Sequence, residues 1–345
     1  MESFVRKKGN SEWGHSHFGT GKPVASRLLV TSVFWNSLSQ DLCVPPRLRV
    51  PPRLRPLGGS TASRNIMITC NRLADLYLQI GDLDKSFDFG HQALEIRTGL
   101  FSSNPNDQTI LRDLSVSNGV LGRAYFAIEE FNSTMARFSA GLEIAKKLAT
   151  VPTNETQRDL AISHHQCGDV HLRVDNFDEA QVQYQKADSI YRSLFALDPD
   201  DLESITGLTS SHEKLGDLNW QIGKLDLAAS HFETKLELEL TMLDRVNDSS
   251  HLRSLMITHN KLGDILKETA RLDAATEHIL AGLKISKKLA TIDIKDARAQ
   301  QELIFSYYLA GEVFFSARKY TEAKDYYEKA ISIFDSMKVR NQPVG

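Results

Sequence analysis

Cysteine is scarce in this chain, with three residues, Cys43, Cys70 and Cys167, among 345. Their contexts are unrelated, so no disulfide framework is predicted, and this usage is typical of a reduced intracellular protein. We therefore expect a cytoplasmic location. Long apolar runs are scarce as well, because no stretch approaches the ~20 apolar residues that cross a bilayer. We expect no membrane partner.

Motifs that carry catalysis are also missing. The sequence has no Gly-rich phosphate loop, no nucleophile elbow and no zinc-protease motif. Histidines do recur, at His164, His212 and His259, but duplication of a unit repeats them automatically, and neighbouring units lie roughly 10 Å apart, too far for one zinc ion. His164, Cys167 and His171 share one helical stripe, which leaves a metal site as a minor alternative. We expect no enzyme activity, no cofactor and no metal.

Charge is nearly balanced over the chain, at a net of −3, but it is unevenly divided. Residues 1–60 hold nine Lys or Arg against three acids, a net of +6, and the rest holds 32 against 41, a net of −9. Six of the ten prolines also lie in the first 60 residues, where VPPRLR occurs twice in tandem. We expect a disordered basic segment over 1–60. A transit peptide, a signal-like run at Leu28–Trp35 and an overlong start are the alternatives. The acidic remainder disfavours nucleic acid as a partner.

Beyond these absences, the chain is a repeat. Five glycines with similar surroundings, Gly122, Gly168, Gly216, Gly263 and Gly311, fall 46, 48, 47 and 48 residues apart. Ala74 lies a further 48 residues upstream. These six small residues, one per unit, are called anchors here: Ala74, Gly122, Gly168, Gly216, Gly263 and Gly311. Similar segments surround them, and AGLEIAKKLAT at 140–150 matches AGLKISKKLAT at 281–291 at nine of eleven positions. A sustained period of this length predicts a solenoid of six units over residues 61–338, followed by a short tail at 339–345.

Each unit predicts two helices. The first spans about ten residues before the anchor to about six after it, with an aliphatic residue eight before the anchor on the same helical face. A break follows, marked by Gly81 and Gly223 in two units. The second helix opens nine residues after the anchor, and a small residue lies three further on. Small residues at these positions permit two paired helices to approach closely.

The order of these residues resembles the tetratricopeptide repeat. Gly311, Phe314, Ala323 and Tyr327 carry the pattern in the sixth unit. That family has a period of about 34 residues, so both helices are longer here, and histidine replaces the family's early tryptophan in three units. The resemblance implies an all-α superhelical solenoid of helix-turn-helix repeats, similar to long-period arrays attached to kinase, NTPase or protease modules in bacterial signalling proteins.

Two charged rows suggest a binding surface. An acid directly follows the anchor in five units, with Arg123 in the remaining one. The resemblance implies that this position faces the concave groove, so a basic protein or peptide is the expected partner, although pairing with a cation at helical spacing, such as Arg72 with Asp75 or Lys214 with Asp217, is the simpler reading. The predicted partner-binding residues are Asp75, Asp169, Asp217, Asp264, Glu312, His165 and Asn260. The second row, Arg64, Arg112, Arg158 and Arg253, opens the first helices, where a cation is unfavourable for the helix dipole. The expected partner is the Asp beside it, an acid of the preceding loop such as Asp107, or a ligand.

Two hypotheses follow for function. The first is a non-enzymatic scaffold that holds a partner's peptide or helix in the concave groove. The second is a regulatory or sensor subunit of a signalling enzyme assembly, in which the array serves another chain's kinase, NTPase or protease activity. In addition, the apolar stripe containing Ile331, Phe334 and Met337 predicts end-to-end self-association or docking of another chain, since few residues follow it.

Overall fold

The computed structural model describes residues 60–103, 107–243, 245–246, 248–292 and 296–340. The predicted basic segment, apart from Ser60, and residues 341–345 of the predicted tail lie outside the described residues. Within the described ranges there are twelve α-helices and no strand. In chain order they are α1 Ser60–Gln79, α2 Leu83–Ser103, α3 Gln108–Ala127, α4 Phe131–Leu148, α5 Asn154–Arg173, α6 Phe177–Leu197, α7 Leu202–Gln221, α8 Leu225–Met242, α9 Ser249–Glu268, α10 Leu272–Ile292, α11 Ala297–Ser316 and α12 Tyr320–Arg340. The all-α repeat solenoid of six helix pairs is therefore confirmed.

The second helices begin where the sequence predicts, nine residues after each anchor. The first helices begin earlier than predicted, fourteen residues before the anchor, and end five residues after it. Capping explains the extra turn. Asp107, Asp201, Asp248 and Asp296 accept hydrogen bonds from the first backbone amides of α3, α7, α9 and α11, and Thr153 forms a capping box on α5.

A left-handed residue ends the first helix in every unit, seven residues after the anchor. Glycine occupies this position in two units, at Gly81 and Gly223, with φ near +78° and +76°. The other four units place a side chain there, on Glu129, Asp175, Ala270 and Arg318, with φ between 57° and 60°. The turn geometry is thus constant although the predicted glycine signal is present only twice.

Each glycine anchor lies against the side chain sixteen residues further on, in the second helix of its unit. A Cβ added to Gly216 would lie 2.8 Å from the Phe232 ring, and one added to Gly263 would lie 2.6 Å from Ile279. Phe232 and Ile279 are fully buried. The absent side chain therefore provides the space in which the two helices of a unit pack.

The solenoid curves with the first helices on its inner side. First helices of successive units contact one another, as α1 does with α3 and α5 with α7, whereas the described second helices make no comparable contacts with each other. Because the inner members of a curved stack are the closer ones, the concave face consists of α1, α3, α5, α7, α9 and α11. No described helix combines the length and apolar character needed to span a bilayer.

Candidate partner-binding face

A row of apolar side chains runs along the concave face, six residues before each anchor. Its members are Ile68, Val116, Ile162, Ile257 and Phe305, with Ser210 in the fourth unit. Val116 and Ile162 are 48% and 47% exposed. This row, called the inner apolar row, was missed by the sequence analysis, which followed the core-facing residue eight before the anchor. Two residues along a helix turn it by roughly 200°, so Val116 and Ile162 point away from the core-facing residues. Ile68, Ile257 and Phe305 are only partly exposed and also pack against buried clusters.

Two grooves flank this row. One, of about 650 Å³, lies between α1 and α3 and is lined by Ile68, Val116 and the guanidinium groups of Arg64, Arg72 and Arg112, among others. The second, of about 730 Å³, lies between α5 and α7. Arg112 and Glu155, which form an ion pair, line both grooves, so the two grooves are adjacent along the inner face.

The arginine row at the start of the first helices pairs with acids of the following unit. Arg64 binds Asp113 at 2.9 Å, and Arg112 binds Asp159 at 2.6 Å. Arg253 reaches Glu302 at 3.0 Å and the capping carboxylate of Asp296 at 2.8 Å. Arg158 likewise pairs with the capping residue Asp201 and with Glu203. These inter-unit pairs supply the partner that the helix dipole requires, from a direction that the sequence could not specify.

Four of the five acids in the acidic row form ion pairs with cations of the array. Asp169 binds Lys214 at 2.6 Å, and Asp217 binds Lys261 at 2.8 Å, each cation belonging to the next unit. Asp75 pairs with Arg123 of the second unit, and Asp264 with Lys267 of its own helix. Glu312 accepts a hydrogen bond from Tyr327 at 2.6 Å. Lys214 therefore bridges to the preceding unit and not to the adjacent Asp217 that the sequence suggested.

His165 and Asn260 lie between successive first helices. The His165 ring is 2.9 Å from the Ser211 hydroxyl, and Asn260 donates a hydrogen bond to Ser306 at 3.5 Å. Asn71 makes the same contact with Ser117. His165 and Asn260 are 6% and 5% exposed, and burial lowers the pKa of His165 to about 3. Both side chains stabilise the stack, so the exposed part of the face consists of the inner apolar row and the charged rows.

The fourth unit replaces this neutral contact with charge. Lys235 occupies the position at which every other unit has Ala or Gly, and its ammonium group is buried among Thr258 at 2.9 Å, Glu213 at 3.2 Å and Glu239 at 3.4 Å. Burial raises the pKa of Glu213, but Lys261 and Lys235 outweigh that effect and hold it at about 2. Glu213 therefore stays ionised, and its ion pairs with Lys235 and Lys261 join the fourth unit to the fifth.

The recurrent histidines lie on the other side of the first helices and contact the second helices. His212 and His231 approach with 3.1 Å between their Nδ1 atoms, as do His259 and His278. His164 donates to Gln183 at 2.7 Å in the equivalent place. Burial lowers the pKa of His212 and of His259 to about 4. Among the described residues, no three His, Cys, Asp or Glu side chains group as metal ligands.

The predicted self-association residues lie on α12 at the far end of the stack. Ile331 is 59% exposed and Phe334 is 50% exposed, while Met337 is partly buried. Tyr308 on α11, at 47%, lies on the same end.

Together, the paired helices, the anchors and the lined inner face define a class of protein, the tetratricopeptide-like helical repeat array. The family model described as "Tetratricopeptide repeat" matches residues 306–336, within α11 and α12. No curated protein sequence matches the chain. The resemblance seen in the sequence is therefore confirmed as a fold.

Solved structures are similar in fold. That of BtubC (BKLC) from P. vanneervenii has a TM-score of 0.59 and 16% identity, and the match covers 74% of this chain and 92% of that one. Aspartyl phosphate phosphatase F from Bacillus subtilis has a TM-score of 0.49 and 10% identity, over 82% and 61%. YrrB, a TPR protein with an unusual peptide-binding site, has a TM-score of 0.41 and 16% identity, over 69% and 91%. At these identities the likeness concerns the fold alone.

Proposed function

We propose that this protein is a non-enzymatic interaction scaffold that binds a peptide or helix of a partner protein along its concave face. The observation that carries the proposal is the inner apolar row. Val116 and Ile162 are nearly half exposed in a curved surface, and apolar side chains exposed in a groove are characteristic of interaction sites. A partner that covers them removes apolar area from water, which stabilises the complex by about 25 cal/mol per Å².

The charged rows would then orient the partner. The side chains of Asp75, Asp169 and Asp217 are 38%, 32% and 39% exposed. Each carboxylate can accept a further hydrogen bond from a lysine or arginine of the partner, which supports a basic ligand. Each also has a resident cation, so the gain per contact is small, on the order of 0.2–1 kcal/mol for an exposed ion pair. The apolar contacts supply most of the affinity in this proposal, and the acids supply a preference for charge.

The test is a selection of binding peptides from a random displayed library, followed by affinity measurement on variants. Val116→Glu with Ile162→Glu places two carboxylates in the inner apolar row, and we expect affinity for the selected peptides to fall at least tenfold. Asp169→Asn with Asp217→Asn is expected to weaken basic peptides a few-fold and leave neutral ones unchanged.

The matched control is Val182→Glu with Leu227→Glu. These residues are 39% and 53% exposed on the second helices α6 and α8, away from the inner face. Circular dichroism checks that all variants stay helical. Equal affinity of the inner-row variant and the control variant for every selected peptide would place the binding surface elsewhere.

A further inference from the structure

We propose that a second copy of this chain docks head to tail on the array, with its α1 packed on the end formed by α11 and α12. This continues the solenoid across two molecules. The proposed surface lies at the two ends of the array. It shares Arg72 and Glu312 with the charged part of the concave face but leaves out the inner apolar row, so its test is distinct from that of the proposed function.

The α12 end exposes positions that are buried in other units. Ile331 lies twenty residues after its anchor and is 59% exposed, whereas its counterparts Leu142, Leu236 and Leu283 are 7%, 9% and 3% exposed. In those units a following first helix packs nearby, since α4 contacts α5 and α8 contacts α9. Ile331 at the α12 end thus occupies a position that, in those units, lies buried at the interface with the next unit.

The α1 side presents the other half of that interface. Asn65, Thr69, Arg72 and Leu76 form an exposed stripe at helical spacing, with Leu76 51% exposed. The equivalent residues of the second unit are covered by the preceding unit. They are Asp113, Ser117, Val120 and Ala124, and the last three are at most 1% exposed.

Charge complementarity selects a second copy as the occupant. Inside the array, Asp169 accepts a hydrogen bond from Tyr184 at 2.8 Å and forms an ion pair with Lys214 of the next unit at 2.6 Å. At the α12 end, Glu312 accepts the same tyrosine contact from Tyr327 at 2.6 Å. The residue of the first unit that corresponds to Lys214, two before the anchor, is Arg72. In a head-to-tail pair, Arg72 of the second copy takes the place of Lys214 against Glu312.

Such contacts are heterologous, because the two surfaces differ. A heterologous contact that does not close into a ring adds copies at both ends. Assembly therefore grows with concentration. Association weakens with salt, since Glu312 and Arg72 are both accessible to solvent before docking and salt screens the attraction between them.

Sedimentation of the full chain over a micromolar concentration series tests this. We expect the average mass to rise with concentration. Glu312→Arg and Arg72→Glu each place like charges at the junction, so each variant alone should stay monomeric at concentrations where the native chain associates. An equimolar mixture of the two variants should associate again, because Arg at 312 meets Glu at 72 and Glu312 meets Arg72 at alternate junctions.

Two apolar variants complete the design. Ile331→Glu is expected to block association, and Leu227→Glu on α8 is the matched control that should associate as the native chain does. A native chain that remains monomeric throughout the series would overturn the proposal. So would a variant mixture that stays monomeric. Loss of association in Ile331→Glu with none in Arg72→Glu would instead show a symmetric tail-to-tail pair.

Discussion

At the scale of single residues, the side chain sixteen positions after an anchor determines whether the anchor can carry a side chain. Rings or aliphatic groups fill this position in units two to six and lie directly over glycine. The first unit inverts the arrangement, with Ala74 as the anchor and Gly90 opposite it. In every unit, one of the two facing positions is therefore glycine, which permits the two helices to approach closely.

Gly216→Ala should therefore destabilise the protein. The new methyl group would lie 2.8 Å from the fully buried Phe232 ring, and overpacking of this kind costs about 1–3 kcal/mol. The control is Gly119→Ala, whose methyl group would meet the flexible Gln166 amide at 3.2 Å. Thermal unfolding should show a lower Tm for the first variant and little change for the second. Equal Tm values would show that the ring moves aside freely.

The buried histidines make stability depend on pH. The pKa of His165 is lowered to about 3 and those of His212 and His259 to about 4, in each case chiefly by burial. Histidine in an unfolded chain has a pKa of about 6.5. Between these values the unfolded chain binds more protons, so stability is full above pH ~6.5 and falls as the pH decreases toward 4.

Urea unfolding at pH 7.5, 6.5 and 5.5 measures this dependence. We expect a falling midpoint, and a shallower fall in His278→Gln, since burial lowers the pKa of His278 and Gln183 occupies the equivalent position beside His164. Most carboxylates stay ionised over this range, which isolates the histidines. A midpoint that is constant between pH 7.5 and 5.5 contradicts the prediction.

At the scale of helices and turns, the left-handed residue after each first helix offers a matched pair of substitutions. Ala270 has φ of 59° and Gly223 has φ of 76° at the same position. A side chain costs about 1 kcal/mol in this region, so Ala270→Gly should raise the unfolding free energy by roughly 0.5–1 kcal/mol and Gly223→Ala should lower it similarly. Chemical denaturation checks both. Changes of the same sign in the two variants would show that another contact dominates the turn.

The buried Lys235 cluster predicts that the effects on stability of substituting Lys235 and Glu239, one turn apart on α8, are not additive. Lys235→Gly alone leaves Glu239, 2% exposed, without its ammonium partner, and an uncompensated buried charge costs about 3–5 kcal/mol. The double variant with Glu239→Ser copies the fifth unit, which has Gly282 and Ser286 there. We expect it to recover most of the lost stability in urea titrations. A double variant less stable than the single one would show that the acid is needed for another contact.

The helices could be predicted from the sequence, because the residues that determine them lie within one unit. Anchor spacing and the apolar residue opening each second helix follow from periods within one unit, and all six second helices begin as predicted. The predicted start of the first helices was wrong by one turn. The capping residues that set the observed start, such as Asp107 and Thr153, lie outside the apolar period. The turn position was marked by glycine in only two units, yet it recurs in all six.

The inter-unit contacts were less accessible. Which cation meets Asp169 depends on the rise and twist from one unit to the next, and no period within a unit encodes those quantities. Lys214 was therefore matched with Asp217 in its own helix, at a spacing that is correct for a helix, whereas it binds Asp169 across the junction. His165 and Asn260 were placed on the predicted surface for the same reason and lie between helices.

At the scale of the whole molecule, the hydrophobic core is continuous in some units and divided into small clusters in others. One cluster of buried apolar residues extends from Trp220 to Val313 across units four to six, while the first unit packs around a separate small cluster that includes Met67 and Phe89. Repeat arrays open locally according to the interfaces between units. Amide hydrogen exchange should be slowest in α9 to α11 and fastest in α1 and α2. Uniform protection along the array would show that the clusters unfold as one.

The inner apolar row is interrupted once, by Ser210 in the fourth unit. This divides the row into a stretch through Ile68, Val116 and Ile162 and a second one through Ile257 and Phe305. Successive first helices lie roughly 10 Å apart, so the two stretches are about 20 Å from each other across the gap. An extended chain advances about 3.3 Å per residue. In the proposed function, a peptide with two apolar side chains about six residues apart would therefore contact both stretches at once, with a gain in avidity.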